Sequence, residues 1–435
     1  MRTRWLAAVA CCATLAAADA PGPEARAREF VALLAKHDFA PAQALFDDSL
    51  RAQLTPAALE QAWGQLQKAG GTFQKTGAAR VESSAKNDVV FLTLEFEKMQ
   101  FDARLPVDKA GRIGGLKFDL HTEYIAPDYV RTAAFHEREA MVGEGDWAVH
   151  GTLSIPNGDG PFPAVILVHG SGAADRDYSY GPNKMFRDLA WGLASRGVAV
   201  LRYNKRANEH GREVAADDHL TVKEETIDDA VAAVTVLWGA SEIDRKRIFA
   251  IGHSLGATLM PRIGKADPRL AGMILMAGTV HDYLDLLVSQ TEYNFTLHGP
   301  MSAAQQKQLD RLRAQVARAA DPALTADAPR SSMPLGSPAS YWLDLRGYHP
   351  EQVARQLPQP MLLLQGERDY QVTMEDFALW KKGLEGKKNV DFKSYPKLNH
   401  LFLSGEGPSS DEEYLRPGHL PKEVVEDIAA WIERR

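Results

Sequence analysis

The spacing of apolar residues changes along the chain, and the change marks two different kinds of structure. From residue 24 to about residue 70, apolar positions recur every three or four residues, as in "EFVALLAKHDFAPAQALF" and "TPAALEQAWGQLQKAG", which predicts amphipathic helices. The following runs, "DVVFLTLEFEKMQFDARLPVD" and "GRIGGLKFDL", alternate or are continuously apolar, which predicts strands. Residues 24–122 therefore predict a small amino-terminal α+β domain with helices packed on an antiparallel sheet.

From about residue 130, short apolar runs alternate with amphipathic helical segments. A predicted hairpin, "FHEREAMVG" and "WAVHGTLSIP", precedes apolar runs such as "PAVILVHG", "RIFAIGHS" and "PMLLLQGERD", with helices such as "TIDDAVAAVTVLWG" between them. Near-continuous apolar strands are typical of a mostly parallel sheet that helices cover on both faces. Residues 130–435 therefore predict an α/β domain.

One long stretch of this domain, between "LAGMILMAG" and "PMLLLQG", has no strand pattern. It begins with a helical pattern and continues with a segment rich in Pro, Ser and Ala. Long insertions in short-looped α/β units are usually functional. We expect residues 281–342 to form a helical cap over the carboxyl edge of the sheet, with Phe295 and Trp342 among the walls of a substrate pocket. The alternative is that its apolar side chains pack only among themselves.

The first twenty residues have the pattern of a secretory signal: two arginines, an apolar stretch and then small residues. We expect residues 1–20 to be a cleaved signal peptide and the mature protein to be periplasmic or secreted. The residues before Cys11 and Cys12 match an acylation motif poorly, so we do not expect a lipoprotein anchor. Because both cysteines lie in this segment, the mature chain would contain no disulfide and no Cys nucleophile. We expect no membrane span after cleavage.

Charge and composition exclude several classes of function. The chain has 50 Lys and Arg against 57 Asp and Glu, a formal net charge of -7. It therefore has no basic surplus for binding phosphates, and we do not expect nucleic acid as a partner. The sequence contains no H-E-x-x-H motif, Walker loop or Cys/His cluster. We accordingly expect neither a metal nor another cofactor, and the sequence predicts no particular oligomeric state.

The stretch "RIFAIGHSLGATLMP" places one hydroxyl, that of Ser254, between a predicted buried strand and a predicted buried helix. Gly252-His253-Ser254-Leu255-Gly256 matches G-x-S-x-G, the strand–turn–helix elbow that holds a serine nucleophile at the carboxyl end of a strand. Gly252 and Gly256 fit this hypothesis because side chains there would collide with neighbouring backbone. The alternative is a serine that caps the helix beside incidental glycines, and the strand and helix on either side favour the elbow.

A serine nucleophile needs a base that takes its proton and an acid that orients the base. Two histidines compete for the first role: His400 follows the predicted strand "VDFKSYP", and His419 lies in the turn "RPGHLP". We favour His400, because it lies at the carboxyl edge of the sheet. Glu367 and Asp369 both follow the strand "MLLLQG", and we favour Asp369, whose spacing lets the loop turn back toward the histidine.

The segment "VILVHGSGAADRD" supplies the remaining part of this chemistry. It follows a predicted strand that should end beside the elbow, so we expect the backbone N–H groups of Ser171 and Leu255 to form an oxyanion hole. A dinucleotide-binding loop is the alternative, but Asp175 stands where its third glycine should be and no helix opens there. We expect Asp175, Arg176 and Asp177 to hold the loop through ion pairs.

These residues carry a family resemblance. From about residue 162 to the end, the chain resembles the α/β-hydrolase superfamily. Its segments "HGSGAADRD", "GHSLGATLMPRI", "LLLQGERDYQVT" and "YPKLNHLF" are similar to the EstD-like branch of bacterial serine carboxylesterases, which also carry a small amino-terminal domain of unknown function. The resemblance implies a triad of Ser254, Asp369 and His400 that hydrolyses small-molecule esters of short acyl chains. Ala257 departs from the family pattern, where many relatives have a second glycine, but it is small enough for close helix packing.

Two other functions remain open at this point. A serine peptidase can use the same triad on the same scaffold, since a fold does not determine the substrate. A ligand-binding protein with a vestigial site, in which the amino-terminal domain carries the function, is the other. The complete set of triad candidates argues against the second.

Overall fold

A computed structural model describes residues 21–83, 87–121 and 123–435, and the chain divides between residues 122 and 123 into two compact units. The predicted signal peptide, with both cysteines, lies outside the described residues. In the part of the chain that the structure describes, no helix has the length and apolar character needed to cross a membrane.

The first unit packs helices on an antiparallel sheet with strand order β1-β2-β3-β4. Its elements are α1 (Pro23–Ala35), α2 (Phe39–Ala44), α3 (Asp48–Gln53), α4 (Pro56–Gly70), β1 (Phe73–Ser83), β2 (Asn87–Phe96), β3 (Gln100–Asp108) and β4 (Lys117–Leu120). Alternate residues of the strands, such as Leu92 and Leu105, share a buried core with Phe30 of α1 and Trp63 of α4. The predicted α+β architecture is confirmed. Its first apolar helical pattern is divided into α1 and α2 at His37, which has φ 61°.

The second unit is a helix-covered sheet. Its strands are β5 (Phe135–Val142), β6 (Val149–Pro156), β7 (Phe162–Val168), β8 (Ser179–Tyr180), β9 (Asn183–Lys184), β10 (Ala199–Tyr203), β11 (Ile243–His253), β12 (Gly272–Met276), β13 (Met361–Gly366) and β14 (Val390–Tyr395). Its helices are α5 (Met185–Ala194), α6 (Arg206–Glu209), α7 (Gly211–Ala216), α8 (Asp228–Gly239), α9 (Leu255–Ala266), α10 (Tyr283–Thr296), α11 (Ala303–Ala320), α12 (Ala339–Leu345), α13 (Pro350–Gln356), α14 (Met374–Gly383) and α15 (Lys422–Glu433).

The main sheet of this unit has the order β14-β13-β12-β11-β7-β10-β6-β5. It is parallel from β14 to β10, whereas β6 pairs antiparallel with both of its neighbours, β10 and β5. Successive residues of the central strands enter two different apolar cores: Ile166 and Ala250 pack on one face, and Leu167 and Ile251 on the other. The continuous apolar runs of the sequence therefore correspond to strands buried on both faces, and the predicted fold class is confirmed.

A reversal of strand order beside β7 fixes one edge of the sheet as a binding edge. After β7 the chain crosses through α5 to β10 on one side, and it later returns through α8 to β11 on the other side of β7. Ligands of open α/β sheets bind at the carboxyl ends of the strands where the order reverses, because the loops diverge there. The loops that follow β7 and β11 carry Ser171 and Ser254.

The insertion between β12 and β13 is helical, as predicted, and comprises α10, α11, α12 and α13. Its α12 begins before residue 342 and continues to Leu345. Trp342 and Met333 of the insertion share one apolar cluster with Leu255 and Leu259 of α9. The insertion thus packs on the first turns of the helix that follows Ser254.

Candidate active site

Ser254 is partly exposed within an otherwise buried segment. In the described stretch from Ile248 to Pro261, every residue except Ser254 is buried. It joins β11 to α9 with φ 54° and ψ -120°, a conformation that strains a residue with a side chain. Its backbone N–H donates to the Met276 carbonyl oxygen at 2.9 Å. The end of β12 therefore supports the turn, and the hydroxyl is left at the carboxyl edge of the sheet.

The glycines on either side of Ser254 have a steric cause. A Cβ atom at Gly252 would lie 2.5 Å from the carbonyl oxygen of Gly256. One at Gly256 would lie 2.5 Å from the carbonyl oxygens of Val168 and His169. Since these neighbours are backbone atoms of packed elements, they cannot move aside, and only glycine fits. The elbow is thus packed directly against the end of β7.

His400 and Asp369 contact each other in the loops after β14 and β13. His400 Nδ1 lies 2.7 Å from Asp369 Oδ2, and both residues are 4% exposed. Asp369 Oδ1 accepts from the backbone N–H groups of Gln371 and Val372 at 2.8 and 2.9 Å. An ionised carboxylate only accepts hydrogen bonds, so Nδ1 of His400 carries the proton and its Nε2 is left as an acceptor.

The rival residues have other partners. Glu367 is exposed, and its Oε1 accepts from the Ser394 hydroxyl at 2.8 Å. His419 lies against Asp188 of α5, with 3.2 Å between Nδ1 and Oδ1. The structure therefore joins Asp369 to His400 and places Glu367 and His419 in different surroundings.

The turn that carries His400 is fixed by the preceding side chain. Asn399 is fully buried, and its Oδ1 accepts from the backbone N–H groups of Leu401 and Leu403 at 3.1 and 3.0 Å. Phe402 in the same turn has φ 56°. Sequence reasoning did not select Asn399, although its position directly before the histidine was the available signal.

His253 links the histidine turn to the serine elbow. Its Nε2–H donates to the His400 carbonyl oxygen at 2.8 Å, and the two ring centroids are 4.7 Å apart. With Nε2 protonated, Nδ1 accepts from the Tyr178 hydroxyl at 3.2 Å. Burial lowers the pKa of His253 well below its usual value, so the ring is neutral. Sequence reasoning assigned no role to His253 or Tyr178.

Ser254 is linked to His400 through this neighbour. Within the described residues, no hydrogen bond joins Ser254 Oγ to His400 Nε2. His253 adjoins Ser254 in the chain and contacts the His400 ring. Hydrogen bonds between catalytic groups are often long before substrate binds, so the arrangement suits a serine and its base.

Two backbone N–H groups near Ser254 are available as donors. A Cβ atom on Gly170 would lie 2.9 Å from Cβ of Ser254, so the Gly170–Ser171 peptide runs beside the serine. Leu255 is the first residue of α9, where an N–H group has no acceptor in its own helix. Among the hydrogen bonds of the described residues, neither the Ser171 nor the Leu255 N–H has a protein acceptor.

Comparisons with known proteins identify the family of the chain. Residues 165–413 match the "Alpha/beta hydrolase family". The chain is also 36% identical over 407 residues to Esterase EstD of Thermotoga maritima, covering 93% of each chain. The chain belongs to the α/β-hydrolase family. Residues 27–116 of this α/β-hydrolase match a "Protein of unknown function (DUF3887)". The predicted EstD-like hydrolase with an amino-terminal domain of unknown function is therefore confirmed.

Other proteins match the hydrolase less fully. Esterase FrsA of Klebsiella pneumoniae is 26% identical over 141 residues, which cover 32% of this chain and 31% of that one. The solved structure of an esterase from Pyrococcus furiosus, PF2001, is 17% identical with a TM-score of 0.46, covering 73% of this chain and 96% of that one.

The loop after β7 of the hydrolase is held by ion pairs of Arg176 and Asp177, whereas the contact of Asp175 is a backbone hydrogen bond rather than the predicted ion pair. Burial would raise the pKa of Asp177, but nearby Arg202 and Arg187 hold it below its usual range. The pairs and bonds of the three predicted loop residues are Asp177 with Arg202 (2.9 Å) and Arg187 (2.6 Å), Arg176 with Glu139 (2.7 Å), and Asp175 with the backbone N–H of Ser179 (2.9 Å).

The two predicted pocket residues differ in their surroundings. Trp342 is 2% exposed and belongs to the apolar cluster that includes Leu255. Phe295 is partly exposed in the last turn of α10. Their contact with substrate stays a prediction. In the described ranges of the hydrolase, no three His, Cys, Asp or Glu side chains are grouped so that they could hold a metal ion.

Proposed function

We propose that this α/β-hydrolase is an exported serine carboxylesterase that cleaves short-chain acyl esters through an acyl-enzyme on Ser254. The enzyme class rests on 36% identity with an esterase over 93% of each chain. The mechanism rests chiefly on one observation. A strained serine elbow and a buried His400–Asp369 pair occupy the same edge of the sheet, and Nε2 of His400 is left to accept a proton. Export is supported by the pattern of residues 1–20.

In the proposed reaction, Ser254 Oγ attacks the ester carbonyl carbon while His400 Nε2 takes the hydroxyl proton. Asp369 keeps Nδ1 of His400 protonated and stabilises the imidazolium that forms. The carbonyl oxygen becomes an oxyanion, which accepts from the N–H groups of Ser171 and Leu255. The amino terminus of α9 adds the positive end of its helix dipole at the same place.

The second half of the reaction uses the same groups. His400 gives its proton to the leaving alkoxide, which departs as an alcohol. The histidine then takes a proton from water as the water attacks the acyl carbon, and Ser254 leaves with that proton. No step requires a group from the amino-terminal unit.

The test compares variants of the competing residues with one probe and one substrate panel. Ser254→Ala should abolish fluorophosphonate labelling and lower kcat for p-nitrophenyl butyrate by a factor on the order of 10⁴ or more, because triad members act as a unit. His400→Ala should be almost as severe, and His419→Ala should retain activity. Labelling of folded Ser254→Ala, or loss of activity only in His419→Ala, would contradict the assignment. Faster turnover of aminoacyl p-nitroanilides than of esters would instead indicate a peptidase.

A further inference from the structure

Lys205 and Glu225 form a buried ion pair that the proposed reaction does not use. Lys205 Nζ lies 2.8 Å from Glu225 Oε1, and the residues are 2% and 7% exposed. Removing two charges from water is costly, and an apolar pair of similar size often stabilises a fold as well. Glu225 also lies in a π-helical turn, Lys223–Ile227, a local geometry that occurs frequently at functional sites. The pair therefore needs an explanation beyond stability.

The Lys205 ammonium has a second acceptor, the carbonyl oxygen of Gly170, at 2.7 Å. This carbonyl belongs to the same trans peptide unit as the N–H of Ser171. In a planar trans peptide, C=O and N–H point in opposite directions, so fixing the oxygen fixes the direction of the N–H. The N–H of Gly170 itself donates to the Tyr178 hydroxyl oxygen at 3.2 Å. Both polar groups of Gly170 are thus held.

Only glycine fits at position 170, and the flexible backbone of a glycine must be held in place by other groups. A Cβ atom there would lie 2.5 Å from the Tyr178 hydroxyl oxygen and 2.9 Å from Ser254 Cβ. Glycine avoids both collisions, but its backbone has access to many more conformations than that of any other residue. An oxyanion hole is effective only when its donors are oriented before charge develops. The Gly170–Ser171 peptide therefore needs an external restraint.

We propose that Lys205, with Glu225 as its counterion, is the positioning residue that orients and polarises the Gly170–Ser171 peptide of the oxyanion hole. This inference rests on the oxyanion role of Ser171 in the proposed function. A cation on the carbonyl oxygen draws electron density from the peptide, so the Ser171 N–H becomes a stronger donor. Lys205 acts through the peptide and does not touch the substrate.

Other hydrogen bonds hold the loop after β7 in place. The position of the loop and the orientation of the Gly170–Ser171 peptide can therefore be tested separately. The backbone N–H of Lys205 donates to the Ala174 carbonyl at 3.0 Å. Asn208 Nδ2 donates to the Ala173 carbonyl at 3.2 Å, and the Arg176 N–H donates to the Asn204 side chain at 2.9 Å. These bonds do not involve the ammonium, so its removal should leave the loop in place and release the peptide.

The experiment uses full-length Lys205→Met and the double variant Lys205→Met/Glu225→Leu. The single variant leaves the Glu225 carboxylate buried without a counterion, whereas the double variant does not. The double variant can therefore be measured even where the single variant does not fold. Arg206→Met/Asp229→Leu is the matched control, since it removes the neighbouring, partly buried ion pair, which makes no hydrogen bond to Gly170 among the described residues. The readouts are kcat and KM for p-nitrophenyl butyrate and the inhibition constant of an alkyl trifluoromethyl ketone. Addition of Ser254 to that ketone creates an oxyanion.

We expect kcat and the affinity for the ketone to fall together, by about 10- to 100-fold, which is less than the 10²–10³ typical of losing a donor outright. KM should stay within about twofold, because the interaction is made mainly in the transition state. Lys205→Arg should recover part of both losses, and the control should change neither by more than about threefold.

The inference is overturned when the folded double variant keeps wild-type affinity for the ketone, or when the control loses as much. A wild-type chain that neither reacts with fluorophosphonate nor binds the ketone would contradict the proposed function as well. A wild-type chain that does both, beside an unaffected double variant, would refute the role of Lys205 alone.

Discussion

Glu367 and Asp369 are two residues apart, and their surroundings give them different roles. Asp369 is 4% exposed. Its Oδ1 accepts from the Gln371 and Val372 backbone, and its Oδ2 faces His400. In Asp369→Asn, the backbone donors would keep the amide oxygen on their side and turn the amide N–H₂ toward His400. The imidazole would then present its unprotonated Nδ1 and lose its basic Nε2, the wrong tautomer for catalysis.

We therefore expect Asp369→Asn to lower kcat for p-nitrophenyl butyrate by about 10⁴. Glu367→Gln should change it by less than about threefold, because that exposed carboxylate contacts Ser394. Steady-state kinetics on the two variants, with circular dichroism to verify folding, make the comparison. Small and equal effects would show that Asp369 is not the acid.

The residues that the sequence predicted and those it missed differ in how far their partners lie along the chain. Ser254 and its glycines form a five-residue motif, and Asp369 lies three residues after the apolar strand that ends at Gly366, so local pattern was sufficient to select them as candidates. Lys205 contacts a carbonyl 35 residues away, and Tyr178 contacts a histidine 75 residues away. No local pattern signals such contacts, because the strand order of the sheet creates them.

The same distinction applies to helices and strands. The central strands were predicted because burial on both faces makes their sequences continuously apolar. Helix α14 was missed: among its ten residues, Asp376, Phe377 and Trp380 are the buried ones, too few for a clear period. The π-helical turn before α8 was also missed, and it places Glu225. Irregular turns depend on tertiary contacts rather than on propensity.

The helices of the insertion give a prediction about substrate length. Trp342 of α12 packs in the cluster with Leu255, the residue after Ser254, whereas Phe295 lies partly exposed at the end of α10. We expect Trp342→Ala and Phe295→Ala to move the preferred acyl chain toward longer esters, because each enlarges the space available to the chain. Each buried methylene contributes at most about 0.8 kcal/mol, or roughly fourfold in kcat/KM.

A series of p-nitrophenyl esters from acetate to decanoate measures this shift. Leu335→Ala is the control, since Leu335 lies in the same insertion and is 66% exposed. Fluorophosphonate labelling of Ser254 should persist in all variants. A chain-length profile that both Trp342→Ala and Phe295→Ala leave unchanged would show that the insertion does not wall the acyl pocket.

The stability of the whole hydrolase unit should depend on pH through His419. Asp188 is buried and receives hydrogen bonds from the Tyr124 hydroxyl at 2.6 Å and the Leu420 N–H at 2.8 Å. The hydrogen bond to Asp188 raises the pKa of His419, although partial burial opposes the shift. These contacts hold the first residues of the unit and the segment before α15 onto α5.

Because its pKa is raised on folding, His419 binds its proton more tightly in the folded chain than in the unfolded one. Its contribution to stability is therefore complete below its ordinary pKa of about 6.5, and it is lost as pH rises through the raised value. His419→Gln should lower the melting temperature at pH 5.5 by on the order of 1–2 °C, a small amount because water screens the partly exposed imidazole. Scanning calorimetry should show this difference shrinking toward pH 9, while His298→Gln, an exposed control, shows no trend. A difference that stays constant between pH 5.5 and pH 9 would mean that the charge of His419 does not stabilise the fold.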